Sequence, residues 1–232
     1  RIAVLLPNSA RSVAAFLAVA GTGHCYLPLN IGLKTAELAE LVERCRVQAV
    51  LCPRDRLDKL PEGVTGLAVE DCVDAHADPV ETEWDPDRAF VCLSTSGSTG
   101  RPRFAERTAR AVFANSSRVG EALGLHAEDR VLSVVPFWHA NGFSNCLVMP
   151  LLRGASLLTM DRFLPRQLLE VITEHRVTVV VGSPFIFRAL DRVLEPGLNL
   201  SHVRAWISSG ARLPAALDDA QRLLDRARGR AA

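Results

Sequence analysis

The chain has 232 residues, with 27 basic and 26 acidic side chains and a formal net charge of +1. That balance argues against nucleic acid or an anionic membrane surface as the main partner, since both call for a basic excess. Apolar residues make up 48%, with 15 Gly and 13 Pro, which excludes disordered, collagen-like and disulfide-scaffold chains and leaves a globular protein with a sizeable core.

Residues 2–6 are an apolar run of strand length. Val13, Phe16, Leu17 and Ala20 follow at i, i+3, i+4 and i+7, one face of a helix. Residues 25–29 read as a short strand. Thr35 is a candidate N-cap for a helix with Leu38, Leu41, Val42 and Cys45 on its inner face. Strands are expected at 48–52, 67–69 and 90–95, the last two on either side of an acidic loop at 78–88. A helix is expected over 108–123. The polar, turn-rich stretch 124–130 marks a lobe boundary, giving lobes 1–126 and 127–232. Further strands are expected at 131–135, 156–160, 177–181 and 203–208. Pro165 suits the first turn of a helix with Leu168, Val171 and Ile172 inward. Two more helices are expected over 184–193 and 214–228.

Residues 12–33 carry no formal charge, but Gly21, Gly23, His24, Pro28 and Asn30 interrupt them. Helix, turn and strand fit that stretch better than a membrane span. No targeting segment is visible. The cysteines Cys25, Cys45, Cys52, Cys72, Cys92 and Cys146 show no C-x-x-C and no zinc spacing. Reduced, mostly buried thiols in a cytoplasmic protein are the expectation. The chain starts at Arg1 rather than Met and ends in a charged helical pattern, so both ends read as those of a segment of something longer. Continuously apolar strands, each followed by a helix, indicate an α/β fold. The expectation is two lobes of largely parallel sheet with helices on both faces, a three-layer α/β/α arrangement incomplete at both ends. Ligands in such folds sit beyond the carboxyl ends of strands.

One such strand, 90–95, runs into Thr95-Ser96-Gly97-Ser98-Thr99-Gly100-Arg101-Pro102-Arg103. Glycines let backbone N–H groups approach an anion, hydroxyls donate to phosphate oxygens, and Arg adds charge with a forked donor set. The composition suits a polyphosphate. It also suits a flexible Ser/Gly surface loop. It is not a Walker loop, because Gly97 and Gly100 are only three apart. All but two of the basic residues are Arg, the exceptions being Lys34 and Lys59.

Residues 94–103 closely resemble the phosphate-loop signature Thr-Ser-Gly-Thr-Thr-Gly-x-Pro-Lys of the AMP-forming acyl-CoA synthetase and ligase family. Three further patches match in order. Val4-Leu5-Leu6-Pro7-Asn8-Ser9 through Tyr26-Leu27-Pro28-Leu29-Asn30 resembles the family's opening strand–helix–strand. Pro136-Phe137-Trp138-His139-Ala140-Asn141-Gly142 resembles Pro-x-x-His-x-x-Gly. Ile207-Ser208-Ser209-Gly210-Ala211-Arg212-Leu213-Pro214 resembles Ser-Gly-Gly-Ala-x-Leu-Pro.

The resemblance implies ATP-dependent activation of a carboxylic acid as an acyl-adenylate, followed by thioester formation. The acceptor it implies is coenzyme A, or a carrier-protein phosphopantetheine if the protein is a fatty acyl-AMP ligase. Mg²⁺ is implied without assigned ligands. By motif position, Thr95, Ser96, Gly97, Ser98, Thr99, Gly100 and Arg103 would hold the β- and γ-phosphates. Arg103 stands where Lys is usual, and Phe104 where Gly is usual; Arg keeps the charge but changes length and shape. Arg107-Thr108 fits the start of the next helix, and Ala109 sits where His is common. Ser209, Gly210 and Ala211 would lie between adenine and acyl group, or form a plain strand-to-helix turn. His139 would act catalytically with Arg103 and close the acyl pocket with Phe137 and Trp138, or be a structural His. Asn141, Gly142, Ser183 and Phe185 complete the pocket candidates, with Phe187 beside them; core packing is the other reading of the two Phe. Amino-acid-activating relatives carry Asp near His139, and none is present here, which favours an acid without an α-amino group. A fatty or other apolar acid is the expectation. The family's Tyr-Gly-x-Thr-Glu motif, a ribose-binding Asp and a mobile C-terminal domain with a catalytic Lys come later than this chain reaches. The segment alone is therefore expected to be inactive. A reading from a different class is a non-catalytic nucleotide-binding remnant or interaction protein.

Overall fold

The computed structural model describes residues 1–73, 82–95, 103–195 and 198–210. The chain divides into two compact units. The first comprises Arg1–Val112 with Trp138–Ala140, and the second Phe113–Phe137 with the chain from Asn141 onward.

The first unit begins with β1 (Ile2–Val4), α1 (Ala10–Gly21), β2 (Tyr26–Pro28), α2 (Thr35–Arg44) and β3 (Ala49–Cys52). It continues with β4 (Thr65–Ala68), α3 (Val69–Val73), β5 (Ala89–Thr95) and β6 (Arg103–Thr108), after which α4 (Ala109–Ala122) starts. The sheet order is β4-β3-β1-β2-β5-β6. Five strands are parallel and β6 is antiparallel to β5. Ser9 opens α1 through a capping box: its hydroxyl accepts from the Ser12 N–H at 3.2 Å, and the Ser12 hydroxyl accepts from the Ser9 N–H at 2.9 Å. α2 starts differently from expectation. Lys34 takes the N-cap and Thr35 is already helical, because the Glu37 carboxylate accepts from the Lys34 N–H at 2.8 Å.

Neighbouring residues of one strand show that helices cover both faces. Tyr26 meets Phe16 of α1 edge-on, with ring centroids 5.2 Å apart. Leu27, next in the strand and pointing the other way, joins a core with Leu38, Leu41 and Cys45 on the α2 side. A bulge in β5 between Ala89 and Val91 shifts this alternation. Ala89 and Cys92 both pack on the α2 side, while Phe90 packs on Phe16.

β6 departs from the expected loop and helix start. Its residues pair Glu106 with Cys92 and Phe104 with Ser94, and Phe104 packs against the α2-side core. Arg107 and Thr108 are therefore strand residues. The helix begins only after them, with the Thr108 hydroxyl accepting from the Ala111 N–H at 3.2 Å.

The second unit contains β7 (Arg130–Ser133), a π-helical stretch Gly142–Val148 running into α5 (Met149–Leu152), β8 (Ser156–Thr159) and α6 (Pro165–Glu174). β9 (Val179–Gly182), α7 (Pro184–Asp191) and β10 (Ala205–Ser208) follow. Its sheet, β10-β9-β7-β8, is entirely parallel. Successive residues Val131 and Leu132, and Val179, Val180 and Val181, are all buried, so both faces of this sheet are covered; Leu168, Ile172 and Leu190 are also fully buried. The helix expected over 214–228 lies outside the described residues. No helix among the described residues is long and apolar enough to cross a membrane. Cys72 is exposed and the other five cysteines are buried.

Asp129 ties the amino ends of three of these strands together. It is buried. One carboxylate oxygen accepts from the Thr178 hydroxyl and from Arg204 Nε, each at 2.7 Å; the other accepts from the His126 N–H at 3.0 Å and from Arg204 Nη2. Burial pushes its pKa up, but the hydrogen bonds from Arg204, Thr178 and His126 outweigh burial and hold it at about 2.

The turn after β7 depends on one glycine. A Cβ on Gly142 would stand 1.9 Å from the Pro136 carbonyl oxygen and 3.0 Å from that of Val135. Only hydrogen fits there, so the two ends of the segment Pro136 to Gly142 close onto each other.

Two stability predictions follow from these contacts. Between the folded and unfolded pKa of Asp129 the unfolded chain binds the extra proton, so stability is full above about pH 4 and is lost as pH falls towards 2, by about 2 kcal/mol in all. In denaturant titrations at stepped pH, Asp129→Asn should remove that acid slope; an unchanged slope would dismiss the network as its source. Gly142→Ala should cost about 2 kcal/mol or more, read as a lower Tm. Gly21→Ala, with nothing within 4 Å of its Cβ position, is the control and should cost nothing.

Candidate active site

In the first unit, β5 and β6 form a hairpin whose last register pair is Thr95 with Arg103. The expected phosphate-binding residues Ser96, Gly97, Ser98, Thr99 and Gly100 lie outside the described residues. The base from which they depart is well defined. Val91, Cys92 and Leu93 are buried, Arg103 is exposed at the start of β6, and Phe104 anchors that strand.

His139 reaches the same place from far along the chain. It forms an isolated parallel bridge with Ser94, the residue before Thr95. Its ring lies over that of Trp138, with centroids 3.7 Å apart and planes tilted by 37°. One side of His139 is open to solvent, while the atoms crowding the other side desolvate the ring and lower its pKa. That shift favours the neutral imidazole, which has one donor and one acceptor nitrogen. The structure thus brings His139 and the Thr95–Arg103 hairpin base together.

In the second unit, the remaining candidates gather at the carboxyl ends of β7, β9 and β10. Asn141 and Gly142 close the turn after β7. The Asn141 Oδ1 accepts from Asn145 Nδ2 at 2.8 Å. Ser183 follows β9 directly and takes the N-cap position of α7. Ser209 follows β10 and its N–H donates to the Gly182 carbonyl at 3.0 Å. Gly210 has a φ of +84°, and Asn141 Nδ2 lies 3.7 Å from where its Cβ would be. Such a φ favours glycine. Ala211 lies outside the described residues.

The aromatic candidates divide. Phe137 is a core residue, 3% exposed. Phe185 is 67% exposed and meets Phe163 edge-on, with centroids 6.0 Å apart. Phe187 is buried and packs edge-on against Trp206 at 5.9 Å.

Three polar atoms escape sequence reasoning, or enter it only as backbone. The hydroxyls of Ser208 and Ser209 and the Trp206 indole N–H are buried without a hydrogen-bond partner among the described residues. The signal was a Ser-Ser pair at the end of an otherwise apolar strand. The Cys146 thiol, close by in sequence, is inert: burial pushes its pKa up to about 12 despite hydrogen bonds involving Ser133 and Val135. Among the described residues, no three His, Cys, Asp or Glu side chains gather where they could hold a metal ion.

Comparison with known proteins shows the family and the fold. The model of the AMP-binding enzyme family matches residues 1–228. A feruloyl-CoA synthase of Amycolatopsis sp is 28% identical over 97% of this chain and 47% of that protein. The long-chain-fatty-acid–CoA ligase FadD13 of Mycobacterium tuberculosis is 25% identical over 94% of this chain and 46% of its own. A malonyl-CoA ligase solved with methylmalonyl-CoA and AMP superposes with a TM-score of 0.86 at 26% identity, covering 99% of this chain and 50% of its own. ATP-bound MatB of Rhodopseudomonas palustris shares the fold, with a TM-score of 0.85 at 22% identity over 99% of this chain and 47% of its own. The chain spans about half the length of these relatives. With a family model matched over nearly all of its residues, an α/β fold shared with solved members and the motif residues at strand ends, the chain belongs to the AMP-binding enzyme family.

Proposed function

We propose that the protein joins ATP to a carboxylic acid, releasing pyrophosphate, and passes the resulting acyl group to the thiol of coenzyme A. Family membership supports the reading. The observation that carries it is the Ser94–His139 bridge, which sets His139 beside the strand that feeds the Ser/Thr/Gly segment.

In this reading a carboxylate oxygen of the acid attacks the α-phosphorus, and the bond to the pyrophosphate oxygen breaks. Negative charge grows on the phosphate oxygens, so donors already aimed there lower the barrier most. Hydroxyl and backbone donors from Thr95 to Gly100 take that role, with Arg103 adding a fixed positive charge from the first residue of β6. His139 contributes one N–H donor and, in its neutral form, does not compete with Arg103 for the phosphates. The thiol then attacks the acyl carbonyl carbon, its proton is lost, and AMP leaves. Mg²⁺ would supply further charge to the phosphates; among the described residues no three His, Cys, Asp or Glu side chains gather to hold it.

Coenzyme A is favoured over a carrier protein because the relatives named above are CoA ligases or synthases. The acid is assigned no α-amino group, since residues 134–145 contain no acidic side chain to pair with an ammonium.

In the intact protein, Arg103→Ala should slow acid-dependent pyrophosphate release by about 10²–10³-fold, the usual loss when one donor is removed from a developing anion. Arg103→Lys, which keeps the charge, should retain most of the rate. Turnover unaffected by Arg103→Ala would remove this residue from the phosphate site.

A further inference from the structure

Two serines, Ser183 and Ser209, directly follow the neighbouring strands β9 and β10 at the carboxyl end of the second sheet. Gly182 of β9 and Ser208 of β10 are register partners. The Ser209 N–H bond to the Gly182 carbonyl completes this last rung, and Pro184 has no N–H with which to make another. Ser183, extended at φ −117° and ψ 165°, and Ser209 are the next residues beyond that rung on the two strands.

Each serine lacks the contact its position would normally provide. Ser183 occupies a helix N-cap, where a serine hydroxyl ordinarily accepts from the first turn, yet it makes no side-chain capping bond. The Ser209 Oγ is buried with no partner among the described residues. One residue back along β10, the Ser208 hydroxyl and the Trp206 indole N–H are also buried and unpartnered. Leaving such groups unpaired is unfavourable unless something else completes them. Ser209 also stands at the first glycine of the Ser-Gly-Gly-Ala motif, so this chain adds a hydroxyl where the motif offers only backbone. The flanking Gly182, Pro184, Ser208 and Gly210 carry no charge, and hydroxyls both donate and accept. The partner they fit is a neutral oxygen-bearing group.

We propose that Ser183 and Ser209 hydrogen-bond a hydroxyl, ether or carbonyl oxygen on the acyl substrate, so that the protein selects an oxygenated acid over its plain hydrocarbon counterpart. The proposal rests on the adenylation reading above.

Matched acyl-sulfamoyladenosines, unreactive mimics of an acyl-adenylate, test it by calorimetry on the intact protein. Two pairs suffice: 4-hydroxycinnamoyl with cinnamoyl, and 3-hydroxyoctanoyl with octanoyl. In the unaltered protein at least one oxygenated member should bind at least about tenfold more tightly than its partner, as for sites built around a substrate hydroxyl. That gap should close in Ser183→Ala and in Ser209→Ala. It should close equally in Ser209→Gly, which restores the motif residue and serves if the alanine variant folds poorly. Equal weakening of both members of a pair would assign the hydroxyls to the adenylate or the fold and overturn the proposal, as would the absence of a gap in both pairs. If no mimic binds the unaltered protein, the adenylation reading itself fails, and this proposal with it.

Discussion

Because both sheets are largely parallel and buried on both faces, neighbouring strands take up their backbone N–H and C=O groups and the helices cover their side chains. Polar chemistry is left the strand ends. In the first unit the ladder ends at Thr95 and Arg103, and His139 joins it at Ser94. In the second the ladder ends at Gly182 and Ser208, with Ser183 and Ser209 just beyond. The candidate residues are not scattered over the molecule. They lie where a buried parallel strand stops and its chain is released to a turn or a helix.

The same constraint explains what was legible in the sequence. A strand buried on both faces is apolar along its buried length, so Ile-Ala-Val of β1, Ala-Val-Leu-Cys of β3 and Val-Val-Val of β9 stand out as apolar runs. β6 does not, because an edge strand needs only a few inward residues; Phe104 anchors Arg-Phe-Ala-Glu-Arg-Thr while its charged neighbours face water. Phe185 and Phe187 were inseparable as pocket candidates. Two residues apart on a helix they point to nearly opposite sides, and only the packing of Ile186, Phe187 and Leu190 against the sheet decides which is inside. The motif from Pro136 to Gly142 was recognisable by resemblance, but its physical reason was not. It needs the closeness of Gly142 to the Pro136 carbonyl, and the bridge from His139 to a strand 45 residues earlier. Both are non-local facts that no spacing rule encodes.

The two ends of the second sheet treat polar groups in opposite ways. At the amino ends, Asp129, Thr178 and Arg204 precede β7, β9 and β10 and satisfy one another, and Arg204 also donates to the Leu123 and Gly124 carbonyls. Every acceptor on that carboxylate is used, which is how a buried charge is made tolerable. At the carboxyl ends of β9 and β10, three hydroxyls that could have capped α7 or bonded one another do neither, within one rung of the ladder. A fold able to complete the amino end so thoroughly is not short of ways to satisfy a serine. The contrast places a stabilising network at one end of the sheet and leaves unsatisfied hydroxyls at the other, which is the ground on which ligand contact by Ser183 and Ser209 is proposed.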